Sequence, residues 1–223
     1  MKSKKGIFIT FEGTDGAGKT THVQLLSDWL QTLGLSTTLT REPGGGFLAE
    51  QIREILLNPE TKMHSLTELF LYEAARAEHV EKVIKPGLAE GKIVICDRFT
   101  DATIAYQGFA RKLSIPIIKN LNKIATQNIK PDLTLFLNVS PKTSLTKALN
   151  RSKNSPDRLE KEGVSFQEKV WNGYQYLAKS DPKRFKKINL QPAIEETQKL
   201  IRTEVLKKIY GSHWSKHRHS ISL

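Results

Sequence analysis

The segment Gly13-Thr14-Asp15-Gly16-Ala17-Gly18-Lys19-Thr20 spells G-x-x-x-x-G-K-[ST] in full. Glycines at this spacing let the backbone curl so that successive N–H groups point inward at phosphate oxygens. The helix that follows adds its N-terminal partial positive charge. Lys19 would neutralise the β- and γ-phosphates as a point charge, and the Thr20 hydroxyl is a hard oxygen suited to Mg²⁺. The chemistry predicted is cradling of a nucleoside triphosphate by Gly13 through Thr21. A second group stands at Asp97-Arg98, where an apolar run ends. An acid in that place can hold the shell of a phosphate-bound metal. An arginine beside it suits bridging a donor phosphate and a second anion.

These residues need elements to position them. Gly6–Phe11, Leu35–Thr40, Lys92–Cys96, Leu133–Val139 and Phe185–Leu190 read as short strands, rich in β-branched and aromatic residues. Between them, apolar spacings of three and four predict helices over Thr20–Leu33, Leu48–Leu57, Leu66–Leu88 (interrupted near Pro86), Pro116–Gln127, Leu145–Arg151, Phe166–Lys179 and Ile194–Ile209. Residues 101–109 show no clear pattern. Ser152–Gly163 is polar and charged and reads as a mobile surface segment. The alternation implies an α/β fold with a parallel sheet covered by helices. Right-handed crossovers bring the loops Glu12–Thr20, Arg41–Gly46 and Asp97–Tyr106 to one sheet edge.

The 223 residues suit one domain with a mobile sub-element. A single cysteine, Cys96, allows no intramolecular disulfide and favours a reducing compartment. There is no apolar run of 18 residues, and Ile7–Phe11 is too short for a secretion-signal core. Thirty-five Lys and Arg against 23 Asp and Glu give +12, which implies an anionic partner. The excess is uneven. Residues 1–129 hold sixteen basic and fourteen acidic side chains, and 130–223 hold nineteen and nine. A guanine-reading Asn-Lys-x-Asp is absent, since Asn122-Lys123 continues as Ile124-Ala125.

Phe11-Glu12-Gly13-Thr14-Asp15-Gly16-Ala17-Gly18-Lys19-Thr20-Thr21 resembles the opening of thymidylate kinases. So do Thr40-Arg41-Glu42-Pro43-Gly44-Gly45, and Asp97-Arg98-Phe99 followed by Ala105-Tyr106-Gln107-Gly108. The stretch from Glu68 to Arg76 is similar to the family's thymine-binding helix, and Asp157-Arg158-Leu159-Glu160 to its lid. The resemblance runs in family order from about residue 6 to about 190. It implies a three-layer P-loop nucleoside monophosphate kinase fold, as one domain over residues 1–210. The lid would span about 147–163, and a basic tail, 211–223, is expected to be disordered.

The resemblance also implies site roles. Asp15 matches the acid near the acceptor phosphate or sugar. Arg53 and Arg98 match arginines that clamp the acceptor phosphate. Tyr72 stands where an aromatic, usually Phe, stacks on thymine. Arg76 would reach thymine O4, and Thr103 and Gln107 would complete base recognition. Tyr106 would wall the deoxyribose, and Glu42 would approach the sugar and metal. Thr20 and Asp97 would hold Mg²⁺. Lys19, Arg98 and a lid arginine would carry transition-state charge, with Asp15 beside them. Gly16 stands where eukaryotic-type members carry a basic residue in the cradle, so the bacterial type is expected. Arg158 is favoured as its lid arginine over Arg151. Taken singly, Tyr72 also fits a core aromatic, and Arg53 and Arg76 fit solvated helix-face charges. Ala102 departs from a frequent Ser, and Asn138 from a common Asp. The activity implied is ATP + dTMP → ADP + dTDP with Mg²⁺, by a cytoplasmic homodimer, without nucleic-acid or membrane partners. Another nucleoside monophosphate kinase, or a nucleic-acid-binding P-loop ATPase using the basic C-terminal third, are the alternatives.

Overall fold

The computed structural model describes residues 6–151 and 156–211. The chain alternates strands and helices. They are β1 (Ile7–Glu12), α1 (Lys19–Thr32), β2 (Thr37–Arg41), α2 (Phe47–Leu57), α3 (Ser65–His79), α4 (Lys85–Ala89), β3 (Ile93–Asp97), α5 (Thr100–Thr103), α6 (Ile115–Ala125), β4 (Leu133–Asn138), α7 (Pro141–Arg151), α8 (Gly163–Ser180), β5 (Phe185–Asn189) and α9 (Ile194–Tyr210). All strand pairings are parallel, in the order β2-β3-β1-β4-β5.

Strand β1 is central because its side chains are apolar on both faces. Ile9 pairs across to Ile95 on one side and Leu133 on the other. Ile9 and Phe11 bury against Leu26 and Leu30 of α1 and Ile201 and Val205 of α9. Phe8 faces the opposite layer, with Val80, Ile84 and Phe99. The third cluster joins Phe136 and Phe185 of the sheet to Val170, Tyr174 and Leu177 of α8 and to Ile104–Tyr106. Thr10, buried between strands, hydrogen-bonds to Thr134 at 2.8 Å, so its hydroxyl costs little there.

Two π-helical turns stand among the regular helices. One, Val80–Ile84, joins α3 to α4 without a break. Pro86 has no N–H and its ring crowds the carbonyl four residues back. Widening the turn just before it accommodates both, so the helix bulges ahead of Pro86 and is not interrupted there. The other, Ile104–Ala110, follows α5 and carries Tyr106 and Gln107. Its wider pitch explains why residues 101–109 show no 3.6-residue pattern.

The segment expected to be mobile surface differs in its described part. Arg158, Leu159 and Glu160 are buried. Asp157 Oδ1 accepts from the backbone N–H of Leu159 and Glu160, both at 2.9 Å, and Leu159 enters the apolar cluster around Phe166. The charges misled because they are satisfied internally. The expected lid overlaps residues 152–155, and most of the expected tail lies beyond 211; both stretches fall outside the described residues. No described helix is long and apolar enough to cross a membrane.

Helix α8 packs closely on the second π turn through Gly173. A Cβ there would lie 2.8 Å from Ala105 Cα and 3.1 Å from the Phe109 ring. Gly173→Ala should therefore destabilise the fold by about 1–3 kcal/mol through overpacking. Urea unfolding checks this, and an unchanged midpoint would refute the tight contact.

Candidate active site

The C-terminal ends of β1, β2 and β3 open into one cleft of about 790 Å³. Its lining runs from Asp15, Lys19 and Thr20 past Glu42, Arg53 and Tyr72 to Asp97, Arg98, Thr103, Tyr106 and Gln107. The fold thus brings residues 92 positions apart, Asp15 and Gln107, to one place.

The cradle starts where β1 ends. Gly16 has φ +80°, and a Cβ there would meet the Ser144 carbonyl oxygen at 1.9 Å, so only glycine fits. Thr14 Oγ1 donates to Ser144 Oγ at 2.8 Å, tying the loop to α7. Ala17 is buried, its N–H donating to the Thr14 carbonyl. Gly18 caps α1 in the left-handed conformation, and Lys19, Thr20 and Thr21 form the first turn. Lys19 Nζ donates to the Gly13 and Thr14 carbonyls at 3.2 and 3.0 Å. Burial, with Arg98 nearby, lowers its ammonium to about 8. Thr20 Oγ1 donates to Asp97 Oδ2 at 3.1 Å. Asp97 Oδ1 is buried with no hydrogen-bond partner among the described residues.

Arg98 follows β3 in the left-handed region, φ +71°. Its Nη1 donates to the Gly13 carbonyl (2.8 Å) and the Tyr174 hydroxyl (3.0 Å). Its Nη2 donates to Asp15 Oδ1 (2.6 Å) and the Tyr106 hydroxyl (2.9 Å). Tyr106 in turn donates to Asp15 Oδ2 at 2.9 Å, and Gln167 Nε2 reaches the same oxygen at 3.4 Å. Burial would raise Asp15, but Arg98 and Lys19 outweigh it and hold the carboxyl at about 2. Behind Arg98, Glu12 accepts from Phe99 N–H and from Tyr174 O–H, both at 2.8 Å. Burial, reinforced by Asp101, pushes Glu12 up to about 8.

The far wall is built by α2, α3 and the second π turn. Arg53 Nη1 donates to the Pro43 carbonyl at 2.7 Å, following a cis Glu42–Pro43 bond. Arg76 is almost wholly buried. Its Nε donates to Glu42 Oε2 (2.8 Å), Nη1 to Glu73 Oε1 (2.9 Å) and Asn122 Oδ1 (2.6 Å), and Nη2 to the Phe99 carbonyl (3.3 Å). One Nη2 proton remains. His79 Nδ1 lies 3.0 Å from Glu42 Oε1, so Glu42 is held from two sides. Burial raises the Tyr72 phenol above its ordinary value and keeps it neutral. Thr103 Oγ1 is buried and unpartnered among the described residues, on the cleft wall.

Residues 11–201 match the thymidylate kinase family model. The chain belongs to the thymidylate kinase family. It is 45% identical over 209 residues to the thymidylate kinase of Geotalea uraniireducens, covering 92% of this chain and 98% of that one. It is 46% identical to the thymidylate kinase of Syntrophotalea carbinolica, over 85% of this chain and 90% of that one. The crystal structure of thymidylate kinase from Ehrlichia chaffeensis superposes with a TM-score of 0.73 at 35% identity, covering 89% of this chain and 97% of that one.

Most of the residues that the family resemblance points to meet in this cleft. Arg158 does not line it. Its guanidinium is buried, with Nη1 2.5 Å from Glu68 Oε2 and Nε 2.7 Å from the Leu56 carbonyl oxygen. Arg151 does line the cleft; its side chain is 65% exposed and lies 3.2 Å from Glu160. Sequence reading gave Glu12 and Glu68 no role of their own and missed Gln167 and Tyr174. The last two are polar groups on the otherwise apolar face of α8 made by Phe166, Val170, Gly173 and Leu177, and that interruption was the available signal.

The depressed Lys19 value has a measurable consequence. A polyphosphate bound in the cradle would hold the ammonium form, so its pKa would rise on binding. Triphosphate affinity should be full below pH 8 and fall as pH rises above it, with up to one proton taken up per ligand near pH 9. Calorimetry in buffers of different ionisation enthalpy reads this directly. The uptake should vanish in Lys19→Arg, and its absence in the unmutated protein would contradict the assignment.

Proposed function

We propose that this chain phosphorylates dTMP to dTDP with ATP and Mg²⁺ in the cleft described above. The observation that supports it most is one continuous cleft with a phosphate cradle at one end and an apolar-and-polar base wall at the other. ATP phosphates would lie in Gly13–Thr21, with Lys19 on the β- and γ-phosphates. The dTMP phosphate would lie between Arg53 and Arg98, and its base between Tyr72, Arg76, Thr103 and Gln107. Tyr106 and Glu42 would flank the sugar.

The Thr20 hydroxyl and the orphaned Asp97 Oδ1 suit a hard cation. No cluster of three or more His, Cys, Asp or Glu that could hold a metal exists among the described residues. A two-oxygen site fits Mg²⁺, which takes its other ligands from phosphate and water. When bound, the ion would neutralise charge on the phosphate oxygens.

The protein's part in transfer is positioning and charge compensation. Arg98 is fixed by Asp15 and the two tyrosines before substrate arrives, so little reorganisation is needed. Asp15 stays ionised and orients Arg98; its value near 2 disfavours a role as general base at neutral pH. Arg151, exposed at the cleft edge, is the lid cation we assign to the transferring phosphoryl, in place of Arg158. A cytoplasmic homodimer is part of the same reading. Phe47 of α2 and Phe70 of α3 are 84% and 51% exposed, which supports packing of a second copy through these helices.

Two measurements test this. A coupled ADP-release assay over a panel of nucleoside monophosphates should find dTMP the best acceptor, and a purine monophosphate or UMP in first place would overturn the choice. Arg151→Ala should lower kcat on the order of 10³-fold with little change in the dTMP KM. Arg158→Ala should act mainly on stability, by about 3 kcal/mol, because it strips a cation from a buried carboxylate. The reverse pattern would return the catalytic role to Arg158.

A further inference from the structure

Glu68 on α3 is a buried carboxylate with four donors converging on it and no place in the cleft lining. Oε1 accepts from Gln107 Nε2 at 2.7 Å and from Arg111 Nε at 3.2 Å. Oε2 accepts from Arg158 Nη1 at 2.5 Å and from Arg111 Nη2 at 3.1 Å. Two guanidinium groups and an amide fill both oxygens, so the carboxylate neither turns nor takes a proton. Burial alone would raise its pKa, yet Arg111 and Gln107 draw it below the ordinary range.

This arrangement fixes the orientation of the Gln107 amide. An ionised carboxylate accepts only, so the group facing it must be the NH₂. The carbonyl, Oε1, then points the other way. It has no donor among the described residues, while Gln107 lines the cleft. The base wall thus presents an acceptor at this position and has lost the choice of presenting a donor. An acceptor there suits a pyrimidine whose N3 carries a proton, as in thymine and uracil. It opposes the N3 lone pair of cytosine.

We infer that Glu68 is a positioning residue that sets pyrimidine specificity by locking Gln107 with its carbonyl toward the base. Arg158 and Arg111 hold Glu68 in place, which gives the lid-exit arginine a part in base reading. Arg111 also pairs with Glu162 at 2.6 Å and lies 4.7 Å over the Phe166 ring, so this lock reaches the start of α8. The inference rests on the proposal that dTMP is the acceptor and that Gln107 faces its base.

The test is the ratio of kcat/KM for dTMP to that for dCMP. In Glu68→Gln, residue 68 can offer either a carbonyl or an NH₂, and Gln107 is free to turn over. The ratio should fall about tenfold or more, through a higher dTMP KM and a rise in dCMP use. A melting curve establishes that the variant is folded. The doubly substituted E68Q/R158Q removes one cation with the anion and carries the same comparison where the single variant does not fold. A folded variant of either kind with an unchanged ratio would overturn the inference, including one in which both substrates slow equally. Failure of the unmutated protein to prefer dTMP over dCMP would instead sink the acceptor assignment on which the inference rests.

Discussion

Arg98 is held by four acceptors drawn from three parts of the chain. They are the Gly13 carbonyl of the cradle, Asp15 two residues on, Tyr106 of the second π turn and Tyr174 of α8. A guanidinium at 14% side-chain exposure loses much of its hydration, and such a group is tolerated only where its N–H donors are matched. Each match constrains a separate element. The left-handed backbone at Arg98 turns the chain back across the sheet edge, and Glu12 secures that turn by taking the Phe99 N–H. The strand ends, the cradle and α8 cannot shift independently without stranding this cation. The close approach of α8 at Gly173 serves the same geometry, since it brings Tyr174 to Arg98 and Glu12.

The cations of the cleft all rest on the protein's own oxygens. Lys19 sits on the Gly13 and Thr14 carbonyls, Arg53 on the Pro43 carbonyl, and Arg98 on Asp15 and Gly13. Phosphate binding would exchange the neutral carbonyl acceptors of Lys19 and Arg53 for anionic ones without first moving these cations far, while Asp15 keeps hold of Arg98. Hydrogen bonds to ionised acceptors are about twice as strong as neutral ones, so the exchange favours the ligand. It also explains how a site can be strongly cationic without tearing itself open when empty. The local cations are few beside the chain's net charge of +12, and most of that excess lies in residues 130–223, outside the cradle.

What was legible in the sequence was of two kinds. Motifs set by backbone geometry could be read, because Gly16 and Gly18 leave few alternatives for the loop that holds Lys19. Strands buried on both faces could be read from runs such as Ile93–Cys96. The π turns could not, because a 3.6-residue template misaligns every side chain after the wide turn. The Arg158 segment could not either. A charged residue is read as solvated unless its partner is known, and its partner, Glu68, lies 90 residues earlier. Long separation in sequence hid Tyr174 too, whose two contacts reach back to Glu12 and Arg98.

The two arginines of the expected lid show how burial separates residues that composition treats alike. Both lie in one charged stretch, and both face a glutamate. Arg151 is 65% exposed, so its guanidinium stays hydrated and can leave Glu160, 3.2 Å away; Glu160 is itself buried but keeps the Asp157 N–H on its other oxygen at 3.3 Å. Arg158 is 10% exposed against a carboxylate at 1%, and leaving it would strand a charge in the interior. A group that must meet a phosphate transiently has to be of the first kind. A group that must hold another side chain in one orientation has to be of the second. Asp157 marks the boundary between them. Its side chain pins the N–H groups of Leu159 and Glu160, and Arg158, Leu159 and Glu160 beyond it are packed into the protein.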